Sequence, residues 1–266
     1  MKPINVVKPL LATSLAALCG AVHAQAFDAV RLYGAPAGSG EGSVGAALIL
    51  GHRYMGSDER RTALFPALDY RWASGWFAGT TNGIGYKFDS APTLQYGLRL
   101  TADLGRSESR SVALAGLGNI TARPEFGGFL NVYLSQEFFL TSSLRYGSGN
   151  DRKGGLLDLG AGYATQLAPQ WRAAVGVGAT LANREYMQGY FGVTAPQAVT
   201  SAYAAYDAGA GLRDVRANAS VSYFISPQWT LTGVLSMSSL QGDAKNSPIV
   251  RKATSVTGVA ALSYRF

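Results

Sequence analysis

Few residues of this chain could do chemistry. His52 is followed at short range by Ser57, Asp58 and Glu59. A hydroxyl, an imidazole and a carboxylate are the parts of a nucleophilic hydrolase, in which the imidazole takes the hydroxyl proton. That chemistry also needs a sharp turn to present the nucleophile, and the polar stretch RYMGSDERR (53–61) shows none. The plainer reading of His52 is an imidazole at a strand end, where apolar and wet zones meet. Metal chemistry has less to start from: the chain has two histidines and one cysteine. No His pair, CxxC or acidic loop with ligand spacing is present. The glycine-rich runs GLGN (116–119) and GAGYA (160–164) precede no helical pattern, so they are not phosphate loops. No catalytic, metal or cofactor-binding residues are expected, and the chain does not read as an enzyme.

Two other sets of residues are more informative. Charges recur on one face of alternating segments: Asp69, Arg71, Lys87, Arg99, Asp103, Arg145, Asp158, Arg172, Asp214, Arg216 and Arg265. They could line a selective channel. Acids and bases are interspersed, which favours a paired network filling a narrow lumen. The second set lies in the stretch 183–213, which carries Tyr186, Tyr190, Phe191, Tyr203 and Tyr206. Long loops rich in aromatics carry function more often than solvation alone requires. Just before it, Gly160, Gly162, Gly176 and Gly178 share one face of two neighbouring strands. Glycine eases strand curvature, but four on one face would leave a void in a wide barrel. The expectation is that the loop folds inward, sets its rings on this glycine wall and closes the lumen.

The elements that must position these residues are strands. Residues 254–266, TSVTGVAALSYRF, alternate with period two. Val256, Gly258, Ala260, Leu262, Tyr264 and Phe266 share the apolar face, which ends flush with the chain. An apolar face of this kind suits lipid. A terminal Phe266 with Tyr264 and Leu262 at alternate positions resembles the sorting signal of bacterial outer-membrane barrels. Similar segments span 43–52, 62–72, 76–88, 93–104, 126–134, 138–146, 156–167, 171–182, 214–224 and 229–239. The segment 93–104 alternates best, with Leu94, Tyr96, Leu98, Leu100, Ala102 and Leu104 on one face. Short turns at 73–75, 135–137, 168–170 and 225–228 alternate with long connections, the pattern of periplasmic turns and external loops. All four tryptophans, Trp72, Trp76, Trp171 and Trp229, adjoin a short turn, as an interfacial aromatic belt would place them. An even count with both termini periplasmic needs one more strand, for which 111–120 is the candidate. A strand near 27–33 is the alternative route to twelve, and ten strands is the alternative count. The predicted fold is all-β, a transmembrane antiparallel barrel of about twelve strands.

Composition agrees. Residues 1–24 read as a signal peptide: Lys2 and Lys8 flank an apolar stretch too short to span, and Val22-His23-Ala24 offers a cleavage site. Leu18 before Cys19 is too bulky for a lipoprotein site. Removal would take the one cysteine, leaving no disulfide or thiolate site. It would also lower the net charge from +7 to +5, by Lys2 and Lys8. The basic residues that remain are dispersed, which suits anionic lipid or glycan and not nucleic acid. Residues 25–266 are expected to form a single barrel domain, with 25–42 as a lead or plug. Hydrophobic residues are 47% of the chain, yet no apolar run of helix-spanning length occurs after the leader.

Several pieces in order resemble the MltA-interacting protein family, MipA/OmpV. They are Tyr54-Met55-Gly56-Ser57, Gly116-Leu117-Gly118-Asn119-Ile120, Tyr190-Phe191-Gly192-Val193-Thr194, Gly211-Leu212-Arg213-Asp214-Val215, Gly242-Asp243-Ala244, Ser247-Pro248-Ile249-Val250 and the terminal Ser263-Tyr264-Arg265-Phe266. Met55 and Asn119 depart from the pattern, which tends to an acid at both. The resemblance implies a barrel in the outer membrane of a Gram-negative bacterium, in contact with outer-membrane lipid. It implies a scaffold for a periplasmic lytic transglycosylase and a penicillin-binding murein synthase, with no cofactor. Related members are associated with adhesion or envelope stress, and a small-solute channel is the alternative.

Overall fold

The computed structural model describes residues 41–88 and 93–266. The leader 1–24 and the region around 27–33 lie outside the described residues.

Twelve antiparallel strands close into a barrel in which β1 pairs with both β2 and β12. They are β1 (Glu41–His52), β2 (Arg60–Arg71), β3 (Trp76–Gly79), β4 (Gly83–Phe88), β5 (Leu94–Asp103) and β6 (Arg123–Tyr133). Then follow β7 (Phe138–Ser148), β8 (Gly154–Ala168), β9 (Trp171–Ala182), β10 (Gly211–Phe224), β11 (Trp229–Leu240) and β12 (Thr254–Arg265). No described helix is long and apolar enough to cross a membrane.

The predicted total holds, but two elements differ from the expectation. Residues 76–88 form two strands, because Asn82-Gly83, with Gly83 at φ +73°, turns the chain after Gly79. Asn-Gly is a strong hairpin signal. The segment 111–120 is not a strand. Two 3-10 turns, Glu108–Arg110 and Val112–Leu114, occupy this region. Gly116 and Gly118 follow with φ of +79° and +72°, which no regular strand accepts. The β3–β4 hairpin therefore supplies the strand that 111–120 does not. The ten-strand alternative falls with it.

Side-chain alternation sorts the two faces as the pattern predicts. Leu98, Leu100, Leu130 and Leu140 point outward and are exposed, while Thr101, Asp103, Ser143 and Arg145 are buried in the interior. The exterior is an apolar wall bounded by aromatics at the turn end. Trp229 packs on Tyr264, Trp171 on Tyr223, Trp76 on Tyr86, and Tyr70 on both Trp72 and Phe266. Phe266 fastens the closing seam: its N–H donates to the carbonyl of Gly42 at 3.0 Å, and Gly42 N–H donates back at 3.1 Å. A Cβ at Gly42 would lie 2.6 Å from the Phe266 ring, so the seam needs glycine there.

Candidate functional site: the loop cap and the charged rim beneath it

The loops at the end opposite the turns pack into a single cap. After β9, Asn183 accepts the Tyr186 N–H and starts helix α1 (Arg184–Phe191). Thr194 and Gln197 form a capping box that starts α2 (Ala195–Thr200). A third short helix, α3 (Gly242–Asn246), sits between β11 and β12. Tyr186, Met187, Tyr190 and Phe191 of α1 are buried against Leu156, Ala182, Leu240 and Ala244. A second cluster joins Tyr54, Leu114, Leu117, Val193 and Ile249, and Tyr203 and Tyr206 pack against it.

Hydrogen bonds between loops lock this arrangement. Tyr54 donates to the carbonyl of Ile249 at 3.1 Å, Tyr203 to that of Ala113 at 2.9 Å, and Tyr206 to that of Asp243 at 3.0 Å. The Arg106 guanidinium donates to the Tyr190 carbonyl at 2.8 Å, and Ser247 to that of Phe191 at 2.5 Å. A Cβ at Gly116 would lie 2.0 Å from the Thr200 carbonyl oxygen, so glycine alone permits that approach. Burial pushes the Tyr54 phenol up to about 12, with Tyr203 adding to the shift. Burial, then Tyr186 and Asp103, hold the Tyr190 phenol well above its ordinary range. Burial also lowers the Arg106 guanidinium.

Beneath the cap lies a buried charge network. Arg145 pairs with Glu125 at 3.2 Å and with Asp158 at 2.8 Å. Arg216 pairs with Asp158 at 3.3 Å and Asp214 at 3.2 Å, and Arg213 pairs with Asp214 at 2.6 Å. Cap and network meet where Tyr190 donates to Asp103 at 2.5 Å and Arg213 donates to the Tyr186 hydroxyl at 3.0 Å. The Tyr186 and Tyr190 rings stack at 4.5 Å. Of the predicted inward charges, Asp103, Arg145, Asp158, Asp214 and Arg216 come together here. Asp69 and Arg71 form a separate pair at 3.8 Å. Two members were missed. Glu125 lies one residue before the strand start read from sequence. Arg213 faces inward beside Asp214 because a register shift between β9 and β10 falls between Leu212 and Asp214.

Gly160 pairs with Gly178 and Gly162 with Gly176, and all four lie on the inward face. The loop rings do not lie on them in the way expected. They pack at the rim against Leu156 and Ala182. The ring lying over Gly162 is that of Phe139 from β7, 2.4 Å from where a Cβ would stand. The loop's length gave no signal of how far inward it would reach. At the hydrolase candidate, Ser57 Oγ accepts the Glu59 N–H at 3.1 Å, while buried His52 has no hydrogen-bond partner at Nδ1. No hydrogen bond joins His52 to Ser57 among the described residues, so no nucleophile–base pair is assembled. No cluster of metal-ligating side chains occurs among the described residues.

A family model described as MltA-interacting protein MipA matches residues 44–266. The chain belongs to the MipA family. A family match across the barrel, together with a closed wall that is apolar outside, places the protein in the outer membrane. No curated protein sequence matches the chain. Among solved structures, the translocator domain of autotransporter NalP from Neisseria meningitidis is similar at TM-score 0.53 and 10% identity, covering 91% of this chain and 94% of that one. The COG4313 outer membrane channel from Pseudomonas putida F1 is similar at TM-score 0.47 and 11% identity, over 87% and 97%. A KdgM porin is similar at TM-score 0.44 and 10% identity, over 84% and 99%. At such identities the likeness is one of fold alone.

Proposed function

We propose that this MipA-family barrel is a non-enzymatic scaffold of the outer membrane that engages peptidoglycan-remodelling enzymes, a lytic transglycosylase and a penicillin-binding murein synthase. The observation that carries the reading is the cap. A mouth covered by interlocked loops suits a barrel that binds partners better than one that passes solutes. The family description, MltA-interacting protein, supports a murein enzyme as partner. Such partners are periplasmic, so the contact surface is expected at the turn end, at 72–75, 134–137 and 225–228. Pull-down with the signal-processed protein from envelope extract should retain the transglycosylase. Substituting the 225–228 turn, ISPQ, should weaken its retention. Recovery of no murein enzyme from envelopes that contain both would overturn the proposal.

The charged rim favours a second reading, a small-solute channel, since charges inside a barrel wall set solute selectivity.

A further inference from the structure

The outward face of the closing seam changes character at the loop end. On β1, Leu48 and Leu50 face out and are exposed, and the next outward residue is His52. On β2, exposed Leu64 is followed toward the same rim by Thr62 and Arg60. Apolar side chains give way to polar ones where hydrocarbon gives way to head groups. Arg60 stands opposite His52 in the register of β1 with β2. Its guanidinium reaches past β1 altogether, and Nη1 donates to the Val256 carbonyl of β12 at 2.8 Å. The pairing of β1 with β12 ends just below, at Leu50 with Gly258, and a side chain takes the Val256 carbonyl instead. A second exposed cation, Lys252, belongs to the same rim, where its N–H donates to the Gly56 carbonyl at 2.9 Å.

Two independent observations point to a ligand at this rim. The first is His52 itself. It is only 4% exposed, yet its Nδ1 has no hydrogen-bond partner. Gly51 before it faces inward toward Thr257, so alternation sets the imidazole on the outward side, beneath the arm of Arg60. A ring nitrogen withdrawn from water without a partner costs free energy. The second is the wall below. Leu50, Gly258 and Leu235 form one outward row across β1, β12 and β11, and Leu48, Ala260 and Gly233 form the next. A Cβ at Gly258 or Gly233 would meet no heavy atom within 4 Å. At Gly42, Gly97 and Gly162 the missing Cβ makes room for a ring, of Phe266, Phe129 and Phe139 respectively. No side chain uses the room at Gly258 and Gly233, so the outer wall is recessed between the leucines of β1 and β11. The recess runs down β12 from Val256, whose carbonyl holds Arg60, past Ala260, roughly 13 Å at the usual rise.

We propose that the recess and the rim above it form a binding site for a membrane lipid whose head is a phosphate monoester, in the leaflet on the loop side. One acyl chain lies in the recess on Gly258, Ala260 and Gly233. The phosphate accepts from the remaining N–H groups of Arg60 and from His52 Nδ1, in the tautomer that carries its proton there. A guanidinium is a fixed fork of donors that matches a phosphate bidentately. The bond to Val256 sets the direction of that fork. Lys252 adds positive charge at the rim. Glu59, the acid beside Arg60 in sequence, is engaged by Arg53 at 2.9 Å and by Ser111. A free phosphate would leave the recess unused, and a choline head would bring a cation toward Arg60 and Lys252. A phosphate monoester on an acyl chain matches both surfaces.

The test uses the full chain folded in phosphatidylcholine vesicles doped with a phosphatidic acid that bears a photoreactive diazirine on one acyl chain. Irradiation and peptide mapping should place severalfold more label on Leu50, Gly258 and Leu235 than on Leu98, which faces out from β5. Arg60→Gln should bring the label in the recess down to the Leu98 level and leave Leu98 unchanged. Arg60→Lys keeps the charge without the fork and should fall between. Gly258→Leu fills the recess and should remove label from Ala260 with Arg60 intact; if it gives no heat-modifiable barrel, the two Arg60 variants carry the test. His52→Phe keeps a ring, removes the nitrogen and should also lower the excess. Equal label at Gly258 and Leu98 in the unaltered protein would overturn the site. The same excess from a diazirine phosphatidylcholine would overturn the assignment of the head group. Loss of the excess to an equal concentration of inorganic phosphate would mark a free-anion site and overturn the assignment of a lipid.

Discussion

Glu125 is a fully buried acceptor of three side-chain bonds at the rim. One oxygen accepts from Thr101 at 3.0 Å and from Arg145 at 3.2 Å, and the other from Ser148 at 2.5 Å. Removing one partner of a buried pair strands the other charge, which costs more than the pair contributes. Glu125→Ala should therefore destabilise the folded barrel by about 3–5 kcal/mol in a urea titration. Glu125→Gln keeps the shape and should cost less. At the outer wall the sign of the environment reverses. Leu98 faces out from mid-β5, where Leu98→Arg should cost about 2–4 kcal/mol in a lipid bilayer. Thr141 faces the lumen directly opposite Gly160, which leaves space for a long side chain. Thr141→Arg should cost much less in the same titration, and equal costs would contradict the assignment of faces.

At the level of elements, the cap and the closing strand rest on different forces. The cap is held by buried aromatics and by phenols that donate hydrogen bonds only while protonated. Burial pushes the Tyr54 phenol up to about 12 in the folded cap, against about 10 in an unfolded chain. A raised pKa means that its stabilisation is complete below pH 10 and is lost as the pH rises through 12. The cap should loosen in that window while the strands persist. Protease cleavage within 183–210, followed against strand circular dichroism, checks the order of events; simultaneous loss would place the alkaline transition elsewhere. The closing strand β12 pairs along its length with β1 and β11. Phe266, beside Tyr264 and Leu262, is proposed as the assembly signal, and it also makes the last bonds of the seam with Gly42. Deleting Phe266 should leave export intact and reduce heat-modifiable barrel in the outer-membrane fraction, because an open edge cannot be satisfied in lipid.

For the whole molecule, the cap is the feature that bears on whether solutes pass. Five loops converge on the mouth: 53–59, 104–122, 149–153, 183–210 and 241–253. The long loop after β9 contributes α1 and α2. The intact protein should show little steady conductance in planar bilayers. Deleting Tyr186 to Ala204 removes four of the six aromatics of the two clusters, Tyr186, Tyr190, Phe191 and Tyr203, and should open the mouth. A large conductance in the intact protein, unchanged by the deletion, would favour the channel reading over the scaffold.

The sequence by itself determined the architecture. A side chain's face on a strand follows from period two, and lipid outside with polar groups inside makes that period visible in residue types. Hence Leu98 out and Asp103 in, the belt of four tryptophans beside the turns, and the inward glycines of β8 and β9 could all be read from spacing. The hairpin at Asn82-Gly83 was written just as plainly, but the apolar pattern on both sides hid it. The tertiary structure decided what spacing does not encode. Contacts between loops far apart in sequence, such as Tyr54 with Ile249 and Arg106 with Tyr190, have no period. The register shift before Asp214 turned Arg213 inward by local geometry. The pairings of β3 with β2 and of β4 with β5 end short of the full length of β2 and β5, which is a relation among four strands and not a property of any one of them.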